Sequence, residues 1–348
     1  MGNPYATKGP SQFWRTAVAD LAPEDVSPIP HKKFQIGEED RIATAGSCFA
    51  QHVSRYIEAM PGVRFLQTEA SPADQPVFSA RYGNIYTVAQ LRQLLLEATG
   101  QLSLPPLVLP RPDGRLVDAF RPTTYTEGFA SLEDVAAARR AHLEAVRRVF
   151  TDCTVFVFTL GLIEGWTTPD GQFVLPIHPG VTTDDPQAAA ALFHRYSYEE
   201  VKADLEEFLA GLRKINPGAR VILTVSPVPL TATYTDEHVL SATVYSKSVL
   251  RAVCGSVESS VENAYYFPSY EIISSHFNDG KYYDSNKRTV PEIGVSHVMR
   301  VFRAAYFGQT SEPVAPPPKP ATESSVLDQS YAGRIICDEE KYGTNIGF

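Results

Sequence analysis

The chain has 348 residues, 43% of them hydrophobic, and a formal net charge of −9. That length and apolar content suffice for one large α/β domain or two ordinary ones. Lys and Arg are scattered rather than clustered, so no phosphate-tracking surface is visible and nucleic acid is not an expected partner.

The first residues, MGNPYATKGPSQFWR, carry no apolar leader core, and no later run approaches the roughly 18 apolar residues of a membrane-crossing helix. A cytoplasmic protein without a membrane span is the expectation. MGNPYA also lacks the Ser or Thr at the sixth position that myristoylation prefers. The four cysteines, Cys48, Cys153, Cys254 and Cys337, form no C-x-x-C pair. That spacing argues against a zinc knuckle and against a secreted disulfide framework, and leaves free thiols.

Residues 1–38 read as an N-terminal extension that packs on the domain. From residue 41, short apolar runs followed by turn residues and helical periodicity recur, as in a sheet built from βα units. Strands are expected at 41–45, 63–67, 154–160, 220–225 and 264–268. TVFVFTLG and RVILTVSPVP are nearly continuous in apolar and β-branched residues, as central parallel strands are. Helices are expected at 50–60, 88–98, 132–149, 198–215, 246–257 and 291–305. In the fourth of these, Val201, Leu205, Phe208, Leu209 and Leu212 form a stripe at spacings of three and four. The stretches 101–130 and 165–186, rich in Pro, Gly and Asp, read as insertions over the sheet edge or over a site. The α/β domain then spans 39–308, a Pro-rich linker 309–325, and a tail 326–348 that docks on the domain or a partner.

RIATAGSCFAQHVSRYI, residues 41–57, runs from a β-favouring segment through Gly46, Ser47 and Cys48 into an amphipathic helix. A strand ending in glycine and small polar residues before a helix places them at the carboxyl edge of a parallel sheet, where open α/β proteins bind ligands. The positive end of that helix favours a thiolate, so Cys48 is placed to react. The alternative is that Ser47 caps the helix and Cys48 is a small buried hydrophobe.

GSCFA at 46–50 is the motif for which the GSCFA family is named. The chain resembles that family over about residues 10–308, through SARYGNIYT (79–87), FTLGLIEGW (158–166), NPGARVILTVSPVPL (216–230), YSKSVLRA (245–252) and YFPSYEII (266–273). Its members look like relatives of the SGNH (GDSL-type) esterases and acyltransferases. The resemblance implies an SGNH-hydrolase-like three-layer sandwich around a mostly parallel five-stranded sheet, with loop and helix insertions. Set beneath the Gly-Asp-Ser-Leu block of SGNH proteins, Gly46 falls on Gly, Ser47 on Asp, Cys48 on the nucleophilic Ser and Phe49 on Leu. A one-residue shift would instead make Ser47 the nucleophile.

By the same resemblance Gly83 and Asn84 in RYGN, with the Cys48 N–H, are oxyanion donors, aimed at charge that develops on a tetrahedral intermediate. The third block maps to 161–164, where an apolar residue replaces the usual Asn and Glu164 orients a histidine or holds substrate. The last block, Asp-x-x-His, is missing. Counting back from Gly294 finds Asn286 and Thr289, and a register through Asp284 puts Lys287 at the histidine position. A base must come from elsewhere. His238, beside Asp236 and Glu237, is the candidate, with His178 of PIHPG second and His52, four residues after Cys48, a further possibility. His142 and His297 read as structural. Tyr245 and Lys247 flank Ser246 at the start of a predicted helix, where they hold an anionic or hydroxylated group unless Ser246 simply caps.

A thiolate needs less help from a base than a hydroxyl, so loss of the dyad is tolerable for Cys48. The expectation is an acyl-transfer enzyme, an esterase, thioesterase or acyltransferase, working through a covalent acyl-enzyme. Its substrate would be an acyl ester or thioester, saccharide-linked or a biosynthetic intermediate, and no metal or organic cofactor is implied. The alternative is a catalytically degenerate SGNH fold that binds a glycan or a protein.

Overall fold

The computed structural model describes residues 2–29, 33–72, 77–183, 190–308 and 338. The expected linker and tail therefore lie outside the described residues, Asp338 excepted. In chain order the elements begin with β1 (Arg41–Gly46), α1 (Cys48–Ala59), β2 (Arg64–Phe65), α2 (Val88–Ala98), β3 (Val108–Pro110) and β4 (Leu116–Asp118). α3 (Leu132–Asp152), β5 (Val155–Leu160), β6 (Glu164–Thr167), β7 (Val174–Leu175), β8 (Leu192–Arg195) and α4 (Tyr198–Ile215) follow. The last are β9 (Arg220–Val225), α5 (Val239–Ser260), β10 (Ala264–Tyr266), α6 (Ser269–Ser274) and α7 (Glu292–Tyr306).

The central sheet has the order β10-β9-β5-β1-β2, with every neighbouring pair parallel. β5 is buried along its whole length, as its unbroken apolar run requires. Helices flank the sheet in an α/β sandwich: α1 packs on β1, β2 and β5, and α5 on β9 and β10, while α2 meets α3 and α4, and α4 meets α5. α4 buries the five stripe residues and opens with a capping box, Ser197 accepting from Glu200 N–H while the Glu200 carboxylate accepts from Ser197 N–H. Counted within this sheet alone, the strand order is 2-1-3-4-5, which reverses between β1 and β5. Open α/β sheets bind ligands at the carboxyl ends of the strands at such a reversal.

Short strands lie in the two stretches read as insertions, 101–130 and 165–186, and just beyond the second, at β8. β3 and β4 form an antiparallel hairpin, and β6 pairs with both β7 and β8 in a second antiparallel sheet. Strands of two to four residues show too little alternation to stand out in a sequence. Buried ions hold the hairpin region down: Arg139 binds Glu97 and Asp118 at 2.7 and 2.9 Å, and His142 Nδ1 lies 2.5 Å from Glu69, which also meets Arg121.

The chain divides into two compact units. One joins the N-terminal extension to the segment from Phe267 through α7, with Ile36 N–H donating to the Tyr306 carbonyl at 2.7 Å. In it His297 Nε2 donates to the Val26 carbonyl at 2.9 Å, leaving Nδ1 to accept from the Tyr282 hydroxyl at 2.8 Å. Asn286 and Thr289 are tied in a turn by an Asn286 Nδ2 to Thr289 Oγ1 bond of 2.8 Å. The other unit spans 38–266 and carries Asp338; the site below lies within it.

Candidate functional site at the β1–α1 turn

Gly46 ends β1 at φ +143°, and a Cβ there would stand 2.5 Å from the Thr159 carbonyl oxygen. Only glycine lets the end of β1 lie so close to β5. Ser47 follows, its N–H donating to that carbonyl at 3.1 Å. It occupies the N-cap position of α1, yet its side chain makes no capping bond. Its hydroxyl is buried and, among the described residues, has no hydrogen-bond partner. The expected capping role is thus not played by the side chain. Cys48 is the first residue of α1 and is 3% exposed.

The chain after β5 closes over this turn. A Cβ on Gly161 would meet Ser47 Cβ at 2.7 Å and the Tyr86 carbonyl oxygen at 3.1 Å. Gly161 and Leu162 N–H groups both donate to Tyr86 O, at 3.1 and 2.9 Å. Lys247, fully buried, donates to the Gly161 carbonyl at 2.7 Å, and the Ser246 hydroxyl accepts from Ile163 N–H at 3.3 Å. Ser246 is therefore not a cap: α5 starts seven residues earlier, at Val239, and Tyr245, Ser246 and Lys247 lie inside it. The reading from periodicity missed this opening because Val239, Leu240, Val244 and Tyr245 include exposed apolar residues that blur the stripe. Tyr245 is also exposed and lies under the Arg195 guanidinium at 4.3 Å.

The RYGN segment reaches the same turn. Ile85 N–H donates to the Gly46 carbonyl at 2.8 Å, and Gly83 turns at φ +73°. Gln51, one turn along α1 from Cys48, donates through Nε2 to Asn84 Oδ1 at 3.0 Å. That bond fixes the amide, so Asn84 Nδ2 points the other way, to the Asp338 carboxylate at 2.8 Å. The motif's glycine, serine and cysteine, the Asn84 amide and the 161–163 turn thus converge at the strand-order reversal.

A family model, that of the GSCFA family, matches residues 41–302. The chain belongs to the GSCFA family. No curated protein matches it closely enough to count as a relative.

Beside the turn this GSCFA protein has a cleft of about 410 Å³, with Tyr86, Leu162, Glu164, Trp166, His178 and Tyr234 in its lining. Trp166 is its hub: ring centroids of His178 and Tyr234 lie 4.4 and 4.7 Å away, both edge-on. β6–β8 pairing sets Trp166 opposite Phe193. Glu164, at the start of β6, accepts from the Thr233 hydroxyl at 2.8 Å and from Tyr234 N–H at 3.2 Å. The aromatic wall was not legible in the sequence, because Trp166, His178, Phe193 and Tyr234 come from four separate segments, only two of them strands of the small sheet.

The histidines divide by what their rings already do. His178 lines the cleft, and its Nδ1 accepts from Gly180 N–H at 3.0 Å. The neutral ring therefore carries its proton on Nε2 and is a hydrogen-bond donor. Burial lowers its pKa, which favours that neutral form. His238 is exposed at the N-cap of α5, and its Nδ1 accepts from Leu240 N–H at 3.2 Å, so it too presents Nε2–H. His52 packs on Phe49 at 5.6 Å. Burial, then the neighbouring Arg55 charge, pushes it down to about 3. His142 and His297 are buried, His142 against Glu69 and His297 between Tyr282 and the Val26 carbonyl.

Among the described residues no group of three or more His, Cys, Asp or Glu is placed to hold a metal. No helix there is long and apolar enough to cross a membrane.

Proposed function

We propose that the protein transfers acyl groups through a covalent intermediate at the β1–α1 turn, with Cys48 as nucleophile. The observation that carries this reading is the Asn84 amide: Gln51 locks its orientation, and its N–H group already binds an anionic oxygen, that of Asp338. A donor held ready for negative charge is what acyl transfer requires. The Cys48 thiol loses its proton to solvent and the thiolate adds to the acyl carbonyl carbon. The oxyanion collapses, the bond to the leaving alcohol or thiol breaks, and the leaving group takes a proton from solvent. Water or an acceptor hydroxyl or amine then attacks the Cys48 thioester and gives up its proton, and the thiol is restored.

The aromatic cleft supports a saccharide-linked acyl substrate, since Trp166 and Tyr234 offer apolar faces and edges to a sugar ring while Glu164 and the His178 Nε2–H reach its hydroxyls. His238 would serve as proton carrier only after releasing the Leu240 N–H. The capping geometry of His178 and His238 favours a second reading, a glycan- or protein-binding module without turnover.

Peptide-resolved mass spectrometry after incubation with an acyl thioester or p-nitrophenyl acetate separates the two. The acyl-transfer reading expects one acyl adduct, on the peptide containing Cys48, lost in Cys48→Ala. Cys153, whose thiol burial pushes up to about 12, serves as the unreactive internal control. No adduct, together with full turnover in Cys48→Ala, would sink the proposal.

A further inference from the structure

Asp338 stands 254 positions from Asn84 in the chain, yet its carboxylate is buried against the candidate site. Oδ2 accepts from Asn84 Nδ2 at 2.8 Å and from the Tyr86 hydroxyl at 3.2 Å, and Asp338 N–H donates to the Tyr86 oxygen at 3.0 Å. A carboxylate is removed from water only where donors replace its hydration. The donors here are held in place by others. Gln51 orients Asn84. The Tyr86 backbone is fixed through its carbonyl to Gly161 and Leu162, and through its N–H to Gln90 Oε1 at 3.0 Å. Tyr86 is also part of the cleft lining. The carboxylate therefore sits where the nucleophile turn and the cleft meet, with two donors, Asn84 Nδ2 and the Tyr86 hydroxyl, on one of its oxygens.

We propose that Asn84 and Tyr86 form a carboxylate-binding site, and that Asp338 fills it in cis in the manner of a released acyl product. A substrate acyl group must displace Asp338 to reach Asn84, so the Asp338 side chain competes with substrate. The carboxylate site stands on the geometry alone. The competition rests on the proposed acyl transfer.

The test uses the full chain carrying Asp338→Gly, which leaves room for a free carboxylate, with sodium acetate as probe. Melting temperature is followed against acetate, with sodium chloride at matched ionic strength as reference. The expected result is a saturable rise for D338G that wild type lacks and that is lost when Asn84→Leu is added. A rise no larger than in chloride, or one that survives Asn84→Leu, overturns the carboxylate site. Turnover of p-nitrophenyl acetate is then compared. D338G should be faster than wild type by at least about fivefold, the factor for losing a tethered competitor's hydrogen-bonded contact, with acetate slowing it again. Equal or slower turnover in D338G overturns the competition. If D338G does not fold, Asp338→Asn, which keeps the shape and removes the charge, should still raise turnover, and unchanged turnover counts against the competition. Absence of turnover in every form overturns the acyl-transfer reading, and the acetate arm still decides the carboxylate site.

Discussion

Ser47→Ala separates a structural serine from a chemical one, because the two roles carry opposite signs in stability. An N-cap serine whose side chain bonds the first turn loses roughly 0.5–2 kcal/mol on replacement by alanine. Ser47 makes no such bond, and among the described residues its buried hydroxyl has no partner. A buried unsatisfied hydroxyl is itself unfavourable by about 1–3 kcal/mol, part of which is recovered when it is deleted. The expected change therefore lies between zero and a gain of about 1 kcal/mol. With an unfolding entropy of about 2 cal/mol/K per residue, that gain is a rise of only ~1–2 °C for a chain of this size. Chemical denaturation at pH 7, followed by fluorescence and repeated on both proteins, resolves it better than a melting scan. A loss of about 1 kcal/mol or more would mean that the hydroxyl has a structural partner and would refute the reasoning. The same variant reports on chemistry: with Cys48 as nucleophile, S47A retains the acyl adduct, whereas adduct loss in a protein of undiminished stability would move the role to Ser47.

Gly161→Ala should destabilise by about 1–3 kcal/mol through overpacking against Ser47 Cβ at 2.7 Å. Combining it with Ser47→Gly should recover part of that loss, and a simple sum of the two single effects in a double-mutant cycle would argue against the contact. Stability should fall in acid, since both members of the buried His142–Glu69 pair are pushed down. Burial is the main cause for His142, which drops to about 4. For Glu69 burial alone would raise the carboxyl, but the His142 hydrogen bond, its charge, Arg121 and the Arg81 N–H outweigh it and hold the group at about 2. Stability is complete above the unfolded histidine value of 6.5 and is lost as pH falls through the folded values. The loss should be visible in denaturation curves between pH 7 and pH 5, and those of His142→Gln should lack that component of the slope. Trp166→Ala removes the hub of the cleft. It should raise KM for an acylated saccharide with a smaller change in kcat, and an unchanged KM would place the substrate elsewhere.

Much of the fold was readable because long buried strands and amphipathic helices leave patterns that survive without tertiary information. TVFVFTLG reads as a strand buried on both faces, and the stripe of α4 as a core-facing helix. The α5 start was misplaced because exposed apolar residues at its N-terminal end dilute the periodicity on which a boundary rests. Lys247 looked like a rim cation and is instead a buried donor to the Gly161 carbonyl, since which face of α5 meets the 161–163 turn depends on packing.

By itself the sequence determined the family, the parallel sheet and the place of the GSC turn at a strand end, since all three follow from local composition and short-range order. Only the tertiary structure decided what surrounds that turn. The direction of the Asn84 amide is set by Gln51, the close packing around Ser47 by Gly161, and one side of the aromatic cleft, Trp166 and Phe193, by a three-stranded sheet too short to announce itself. Asp338 reaches Asn84 across 254 positions. Such contacts depend on side-chain direction and on chain closure over long separations, and neither quantity has a local signature.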